Sequence, residues 1–238
     1  INELAKRFNN KSASAKETIK KPEFKQWLLE RLIDIRYFGA TITVGDEEGR
    51  SGDSIPLTGP VQFTWGYSLN RAEILPSSTI TSHFAGREQE EKSQYGTMGK
   101  DWRIKYALLA FYGIVSAWRA KGTQLSDRDL MLFDSSIVKA IPLIATTRSK
   151  LNQTPRLYLR IEYKDDQTFL GDLRTWINLD QKDGLACIVD VQLEYSSLIN
   201  RIDEHKGKIE KIVFWTHSDF VSGKELIKEL EEKRFKHQ

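Results

Sequence analysis

Apolar residues recur at helical spacing along several stretches of the chain. Phe24, Trp27, Leu28 and Leu32 form such a stripe within residues 22–33. Ser126, with an acidic residue three positions later, is a helix-capping signal, and the periodic run behind it extends to Pro142. Together these patterns predict helices over 22–33, 126–141, 196–204 and 224–234.

Other stretches alternate apolar and polar residues, as strands with one buried face do. The clearest is 156–163, which places Leu157, Leu159 and Ile161 on one face. The denser apolar run 104–115 suits a buried central strand, with a helix as the competing interpretation. Further strands are predicted at 35–44, 61–65, 79–84, 186–191 and 211–216. Because strands and helices alternate irregularly, the pattern indicates an α+β domain with an antiparallel sheet.

Three segments carry no clear periodicity. Residues 45–58 are rich in Gly, Asp, Glu and Ser and predict an exposed, mobile loop, and 85–102 predict a long excursion from the domain. The first sixteen residues also have the composition of a mobile loop. Gly39, inside a predicted strand, indicates a bulge or a close approach of two backbones.

Composition describes a soluble globular protein. The chain has 238 residues, 39% of them hydrophobic and 29% charged, so one large domain is expected. It has no apolar run of the roughly 18 residues that a membrane span needs, which predicts a cytoplasmic protein without membrane contact. It begins with Ile1 and no signal peptide follows, so we expect part of the natural amino terminus to be missing.

Metal and redox chemistry find little support. Cys187 is the single cysteine and lies in an apolar run, which favours a buried structural thiol. The four histidines show no ligand spacing, and phosphate-loop, dinucleotide and nucleophile-elbow motifs are absent from the sequence. No cofactor and no metal are therefore expected.

Charge is unevenly distributed although the net charge is only +3. Residues 141–160 contain four basic residues and no acidic one, and 98–121 contain five basic residues beside Asp101. These stretches predict a cationic face, although ordinary solvated surfaces also show segregation of this size.

Two polar segments have the composition of a binding surface. In 146–156, Arg148, Lys150 and Arg156 suit phosphate oxygens, and the hydroxyls and amides between them supply neutral hydrogen bonds. An exposed loop with no function is the competing interpretation. The second segment is 62–65, with Gln62, Thr64 and Trp65. The indole of Trp65 suits stacking on a base, and equally suits a core position.

His83 is the one candidate general base. It follows Thr79 and Thr81 on one face of a predicted strand, where catalysis, RNA contact and plain hydrogen bonding are all open. No carboxylate motif stands near it to orient the ring, which weakens the catalytic interpretation.

A series of motifs in fixed order resembles a known family. The motifs are 34–40 (DIRYFGA), 59–70 (GPVQFTWGYSLN), 97–99 (TMG), 147–150 (TRSK) and 155–157 (PRL). They resemble the backbone subunit of type I CRISPR surveillance (Cascade) complexes, the Cas7 family, closest to its type I-B branch. The resemblance runs from about Leu28 to Trp215.

The resemblance implies a single domain over 1–238 with a modified ferredoxin-like core, similar to an RNA-recognition motif (RRM). Insertions would form a palm, fingers and a thumb, with the thumb at 85–103 and Met98 as an apolar wedge near its tip. The family opens with a core strand that is not recognisable before Pro22, so we expect that strand upstream of this chain.

The resemblance also implies a function: a non-catalytic scaffold for CRISPR RNA in antiviral defence. Copies of the protein would assemble along the guide, together with other Cascade subunits, and would present it for pairing with target DNA. The implied RNA-binding residues are Arg36, Phe38, Gly39, Gln62, Thr64, Trp65, Thr81, His83, Met98, Lys100, Arg103, Arg148, Ser149, Lys150, Asn152 and Arg156. The alternatives are a CRISPR repeat-RNA endonuclease that uses His83 as its base, and an interaction module with no nucleic-acid role.

Overall fold

The computed structural model describes residues 2–9, 15–43, 54–82, 97–147 and 149–233, without the side chains of 16, 77–82 and 97–101. Its α-helices are α1 (Asn2–Asn9), α2 (Ala15–Ile19), α3 (Pro22–Arg31), α4 (Ile33–Phe38), α5 (Ala117–Thr123), α6 (Asp127–Leu143), α7 (Ser196–Glu204) and α8 (Val221–Glu232). Short 3-10 helices lie at Leu173–Trp176, Ile188–Asp190 and Lys206–Lys208.

The strands pair two by two, always antiparallel, throughout the described ranges. They are β1 (Gly39–Thr43), β2 (Ser54–Thr58), β3 (Val61–Phe63), β4 (Tyr67–Ser68), β5 (Ile74–Ser82), β6 (Thr97–Ile104), β7 (Leu109–Ala110), β8 (Gly113–Val115), β9 (Leu157–Tyr163), β10 (Asn178–Leu179), β11 (Leu193–Glu194) and β12 (Ile209–Thr216). The pairs are β1 with β2, β3 with β8, β4 with β7, β5 with β6, β9 with β12, and β10 with β11. This mixture of helices and antiparallel strands confirms the α+β class.

The best-packed core lies in the carboxy-terminal third. The apolar faces of β9 and β12 pack against α7 and α8, and Leu198, Ile202, Ile212, Leu226 and Leu230 are fully buried there. The faces of β9 are as the alternation predicts. Leu157, Leu159 and Ile161 contact this core, and the polar side chains point away from it.

A second core lies at the amino-terminal end. Phe24, Leu28 and Leu29 of α3 are buried against α4 and the pair β1–β2. Phe8 of α1 meets Phe24 edge to face, with ring centroids 5.4 Å apart. The helix predicted over 22–33 is confirmed, ending at Arg31. The expectation of a mobile loop over the first sixteen residues is wrong for 2–9, because α1 buries Ala5.

The strand predicted over 35–44 begins later than expected. Residues Ile33–Phe38 are helical, and the strand starts at Gly39. The apolar run ending in a glycine suggested a strand, but Ile35 and Tyr37 are buried in a helix that ends where Gly39 takes a φ of 75°. The close backbone approach expected at this glycine is confirmed, since an added Cβ would lie 2.1 Å from the carbonyl oxygen of Leu57.

The loop predicted over 45–58 is wrong at its end, where Ser54–Thr58 forms β2 against β1. The apolar residues of β2, Ile55 and Leu57, alternate over too few positions to stand out from the polar residues that precede them. Likewise, the last part of the excursion 85–102 belongs to β6, which pairs with β5 in register from Ser82↔Thr97 to Ile74↔Ile104. Residues 44–53 and 83–96 lie outside the described ranges.

Two predicted strands are wrong. Residues 104–115 do not form one buried strand, because they break into β7 and β8 and leave Leu109 and Phe111 more than half exposed. Within 186–191 the structure has the 3-10 helix Ile188–Asp190 instead of a strand, and Cys187 is exposed rather than buried. In that turn the side chain of Asp190 accepts hydrogen bonds from the backbone N–H groups of Ala186 and Cys187.

The remaining helices agree with prediction. A capping box between Ser126 and Asp129 opens α6, and Pro142 lies in its last turn. The helix predicted over 196–204 has those bounds, and the terminal helix begins three residues earlier than predicted, at Val221.

Candidate nucleic-acid interface

Most of the predicted RNA-binding residues fall into three groups. Phe38, Gly39, Gln62, Thr64 and Trp65 lie around the start of β1 and β3. Thr81, Met98, Lys100 and Arg103 lie in the hairpin β5–β6, where the Cα atoms of Thr81 and Met98 are partners. Ser149, Lys150, Asn152 and Arg156 lie before β9. His83 and Arg148 are outside the described residues, and the guanidinium of Arg36 is bonded to Asp129.

The first group is held by the contact between two glycines. The backbone at Gly39 comes so close to Gly59 that a Cβ on Gly59 would lie 2.2 Å from the carbonyl carbon of Phe38. Gln62 lies three residues after Gly59, and its side-chain amide donates a hydrogen bond to the carbonyl of Gly59 at 3.0 Å. The phenyl ring of Phe38 packs against Phe133, whose ring also stacks on Phe63 of β3.

An aromatic cluster extends this group. Phe133 of α6 packs edge to face with Tyr37 at 5.3 Å and with Phe38 at 6.5 Å, and stacks on Phe63 at 6.3 Å. Phe38 is nevertheless 50% exposed and Phe63 47% exposed. Rings that are half exposed and held by packing against Phe133 are suited to stacking against a planar group from solvent.

The turn of residues 64–66, between β3 and β4, presents Trp65. This side chain is 92% exposed, which decides between the two interpretations of the sequence in favour of a surface indole. The turn itself is anchored: Thr64 donates its backbone N–H to Tyr112 at 2.9 Å. A Cβ on Gly66 would lie 2.3 Å from the ring of Phe111, so a larger residue there would displace that ring.

Arg174 reaches this turn from a different part of the chain. Its guanidinium donates to the carbonyl oxygen of Trp65 at 2.8 Å and to the hydroxyl of Thr64 at 2.9 Å. The same group lies over the ring of Tyr67, 4.2 Å from its centroid. The guanidinium also donates a hydrogen bond to the carboxylate of Asp172 at 2.6 Å, and this bond lowers the pKa of the Asp172 carboxyl.

A groove of about 2240 Å³ adjoins the turn. Its wall includes Phe63, Tyr112 and Arg174, which connect it to the first group. The groove also brings together predicted residues from the other two groups, namely Arg103, Ser149, Asn152 and Arg156. Four predicted residues from two separate segments thus share one groove, and Arg174, which also lines it, bonds the 64–66 turn.

The charges in this groove are mixed. Arg156 donates to both carboxylate oxygens of Asp219 at 2.6 and 2.7 Å, and this bond lowers the pKa of Asp219. Asp165 and Asp166 also line the groove. Lys150 is exposed outside its lining, where it extends the cationic segment toward solvent. The groove is therefore not a uniformly positive channel, and its exposed rings matter as much as its charges.

Arg36 is committed to the fold. Its guanidinium donates to both oxygens of Asp129, at 3.1 and 2.8 Å, and to the carbonyl of Leu29. The bond with Arg36 is the main reason that the pKa of Asp129 falls from 3.8 to about 2. Tyr37 donates its hydroxyl to the carbonyl of Asp129 at 2.6 Å, so this corner joins α4 to α6. The predicted contact of Arg36 with RNA stays a prediction.

Sequence reasoning missed Arg174 and the ring cluster around Phe133. Arg174 is an isolated arginine in the short 3-10 helix Leu173–Trp176, and its local sequence signal is Asp172 two residues earlier. Phe133 was placed correctly on the apolar stripe of α6, but periodicity does not say which exposed rings it supports.

Among the described residues, no group of three or more His, Cys, Asp or Glu side chains is placed to hold a metal ion. None of the helices in the described ranges has the length and apolar character needed to cross a bilayer.

Comparison with known proteins gives two matches. A model of the family described as CRISPR-associated protein Cas7 matches residues 2–196. A relative from Haloferax volcanii, named CRISPR-associated protein Cas7, is 30% identical over 197 residues, covering 77% of this chain and 57% of the relative. The chain therefore spans less than two thirds of that relative. The three groups of predicted residues and Arg174 all lie inside the matched residues 2–196.

Proposed function

The chain belongs to the Cas7 family of CRISPR-associated proteins, and on that premise we propose that it binds CRISPR RNA as a non-catalytic scaffold subunit of a Cascade-type antiviral complex. The observation that carries the proposal is a groove whose lining includes Phe63, Arg103, Ser149, Asn152 and Arg156. Arg174, on the same lining, bonds the turn that carries the exposed indole of Trp65.

The chemistry of this surface suits a guide of any sequence. Exposed rings such as Trp65 and Phe38 stack on the face of any base, and arginine, hydroxyl and amide groups meet phosphates and 2′-hydroxyls. A subunit of this kind leaves the base edges of the guide free to pair with target DNA. Neither kind of contact reads sequence, which is what a scaffold for many different guides requires.

Assembly with further copies and with other Cascade subunits is part of the proposal. Large apolar side chains are exposed on α5 and α6, including Trp118 at 73%, Met131 at 53% and Leu143 at 81%. Exposed apolar groups of this size are typical of protein interfaces. Head-to-tail contacts between copies would generate a filament along the RNA in the cytoplasm. The type I-B branch, the ferredoxin-like core and the thumb at 85–103 stay predictions.

The test is the RNA that the protein carries. Purified from its native host without nuclease, the protein should elute with the ultraviolet absorbance of a nucleoprotein, and sequencing should recover CRISPR RNA. RNA-free protein should then bind two single-stranded RNAs of unrelated sequence with similar affinity, and more weakly as salt rises.

Other outcomes identify the alternatives. Cleavage of repeat RNA that disappears in His83→Ala would indicate a nuclease. Protein that elutes free of nucleic acid and binds neither RNA at about 50 mM salt, where electrostatic binding is strong, would indicate an interaction module instead.

A further inference from the structure

Arg174 occupies an unusual position for an arginine beside a proposed RNA surface. Its side chain is only 9% exposed, and its charge is balanced by Asp172. It therefore has little freedom to bind a phosphate. Its hydrogen bonds point at the protein: at the carbonyl oxygens of Trp65 and Ala110, 2.8 and 3.2 Å away, and at the hydroxyl of Thr64.

These contacts join a turn to a strand. Trp65 belongs to the turn between β3 and β4, and Ala110 is the last residue of β7, the strand that pairs with β4. A single guanidinium spans both because its nitrogen atoms form a planar fork with fixed directions. The ring of Tyr67 lies against the face of this fork, which further restricts its orientation. The backbone of the 64–66 turn is thus held by Arg174 at the carbonyl of Trp65 and by Tyr112 at the N–H of Thr64.

The indole of Trp65, which this turn carries, is accessible from solvent. Trp65 is 92% exposed, although its backbone carbonyl is held by an arginine whose side chain is mostly shielded from solvent. A fixed backbone limits the directions in which the indole projects, so less conformational entropy is lost when it stacks on another ring. The backbone of the turn is therefore held in place while the indole ring that it carries stays exposed to solvent.

We infer that Arg174 is a positioning residue that, held by Asp172, presents the indole of Trp65 for stacking on a base of a single-stranded nucleic acid. This inference rests on the proposed function. Arg174 itself does not touch the RNA, and its contribution passes entirely through the 64–66 turn.

Arg174→Lys tests this role. Lysine keeps a positive charge beside Asp172, so the fold survives. Its single ammonium nitrogen cannot reproduce the two directed hydrogen bonds of the guanidinium to the Trp65 carbonyl and the Thr64 hydroxyl. We expect RNA affinity to fall about tenfold, the same loss as in Trp65→Ala and within the range for one stacked base. The double variant should bind no more weakly than Trp65→Ala alone, because both changes remove one interaction.

Salt dependence separates positioning from direct binding. For Arg174→Lys and for Trp65→Ala, the slope of log affinity against log salt should match that of the wild type. Loss of a phosphate contact would instead lower the magnitude of that slope by about 0.7. Arg201→Gln is the matched control: Arg201 also lies over a tryptophan, Trp176, at 5.7 Å, and it pairs with Glu204. The control should leave RNA affinity unchanged.

Three results would overturn the inference: wild-type affinity in Arg174→Lys, additive losses in the double variant, or a reduced salt slope. Should Arg174→Lys fail to fold, Asp172→Asn takes its place, with the same expected loss and the same non-additivity with Trp65→Ala. A wild-type protein that binds no RNA would instead reject the proposed function, so the two failures are distinguishable.

Discussion

Single residues decide how the strands meet at the proposed surface, and Gly39 shows this most clearly. Its φ of 75° and its contact with the Leu57 carbonyl leave no room for a side chain. The sequence pointed to a close approach at this position but did not identify its partner. That partner is Gly59, twenty residues later, and the pairing of β1 with β2 brings it there.

Gly39→Ala should therefore destabilise the protein by at least about 2 kcal/mol, from the left-handed backbone and the steric contact together. Gly207→Ala is the matched control, because an added Cβ there meets no atom within 4 Å. Denaturant unfolding of both variants checks the prediction. Equal stability of the two would contradict the steric account.

Asp129 is the second residue on which local structure depends. It caps α6 through Ser126 and holds the buried guanidinium of Arg36. Because folding lowers its pKa from 3.8 to about 2, the stability it provides is complete above pH 3.8 and is lost as the pH falls toward 2.

Asp129→Asn should cost about 3 kcal/mol at neutral pH, since it leaves Arg36 buried without a counter-charge. It should also flatten the decline of stability between pH 4 and pH 2. Unfolding midpoints measured across that pH range, with exposed Asp183→Asn as control, check both effects. A decline in Asp129→Asn as steep as in the wild type would assign the acid sensitivity to other carboxyls.

At the scale of elements, a polar network joins α6 to β9. Asp134 accepts hydrogen bonds from the hydroxyl of Tyr158 and from the Nε and Nη2 atoms of Arg160, each at 2.7 Å. Burial and the bond to Asp134 raise the pKa of Tyr158 above its ordinary value, so the hydroxyl remains a donor. Alternation predicted that Tyr158 and Arg160 share the polar face of β9, but not that a helix would cover it.

Arg160→Ala should destabilise the protein by about 3 kcal/mol, because it leaves the largely buried Asp134 carboxylate without its counter-charge and with only the hydroxyl of Tyr158 from this network. The double variant with Asp134→Ala should cost clearly less than the two single changes added together. A double-mutant cycle in denaturant measures this coupling. Glu232→Ala, which removes the exposed pairing with Lys228, is the control and should cost below about 1 kcal/mol.

At the scale of the whole molecule, the groove and the exposed rings come from segments far apart in the chain. Arg103 ends a hairpin, Asn152 lies in the loop before β9, and Phe63 belongs to β3, yet all three line one groove. Because the groove also contains carboxylates, the cations at its margin should add disproportionately to RNA retention. Lys150 is such a cation, and Arg148 is its neighbour in sequence.

Arg148→Ala combined with Lys150→Ala should weaken RNA retention at moderate salt and reduce the salt slope by about 1.4 if both residues contact phosphates. Lys224→Ala combined with Lys228→Ala removes the same charge from α8 and should change neither quantity. Filter binding over a salt series distinguishes the two pairs. Unchanged retention in the first pair would remove this segment from the proposed surface.

The sequence by itself determined the family, the α+β class, and those elements whose periodicity is long or strict: α3, α6, α7 and the two faces of β9. Their signals are local, because one apolar stripe or one alternating run is enough to specify the element. Candidate residues such as Trp65 and Asn152 were also recognisable from their chemistry.

Only the tertiary structure decided the rest. It made 33–38 a helix, divided 104–115 into short strands, exposed Cys187 and placed Arg36 in an internal ion pair. It also brought Arg174 beneath the turn of Trp65. These outcomes depend on contacts between residues many positions apart, and no local period records which distant group will satisfy a buried charge or cover a short strand.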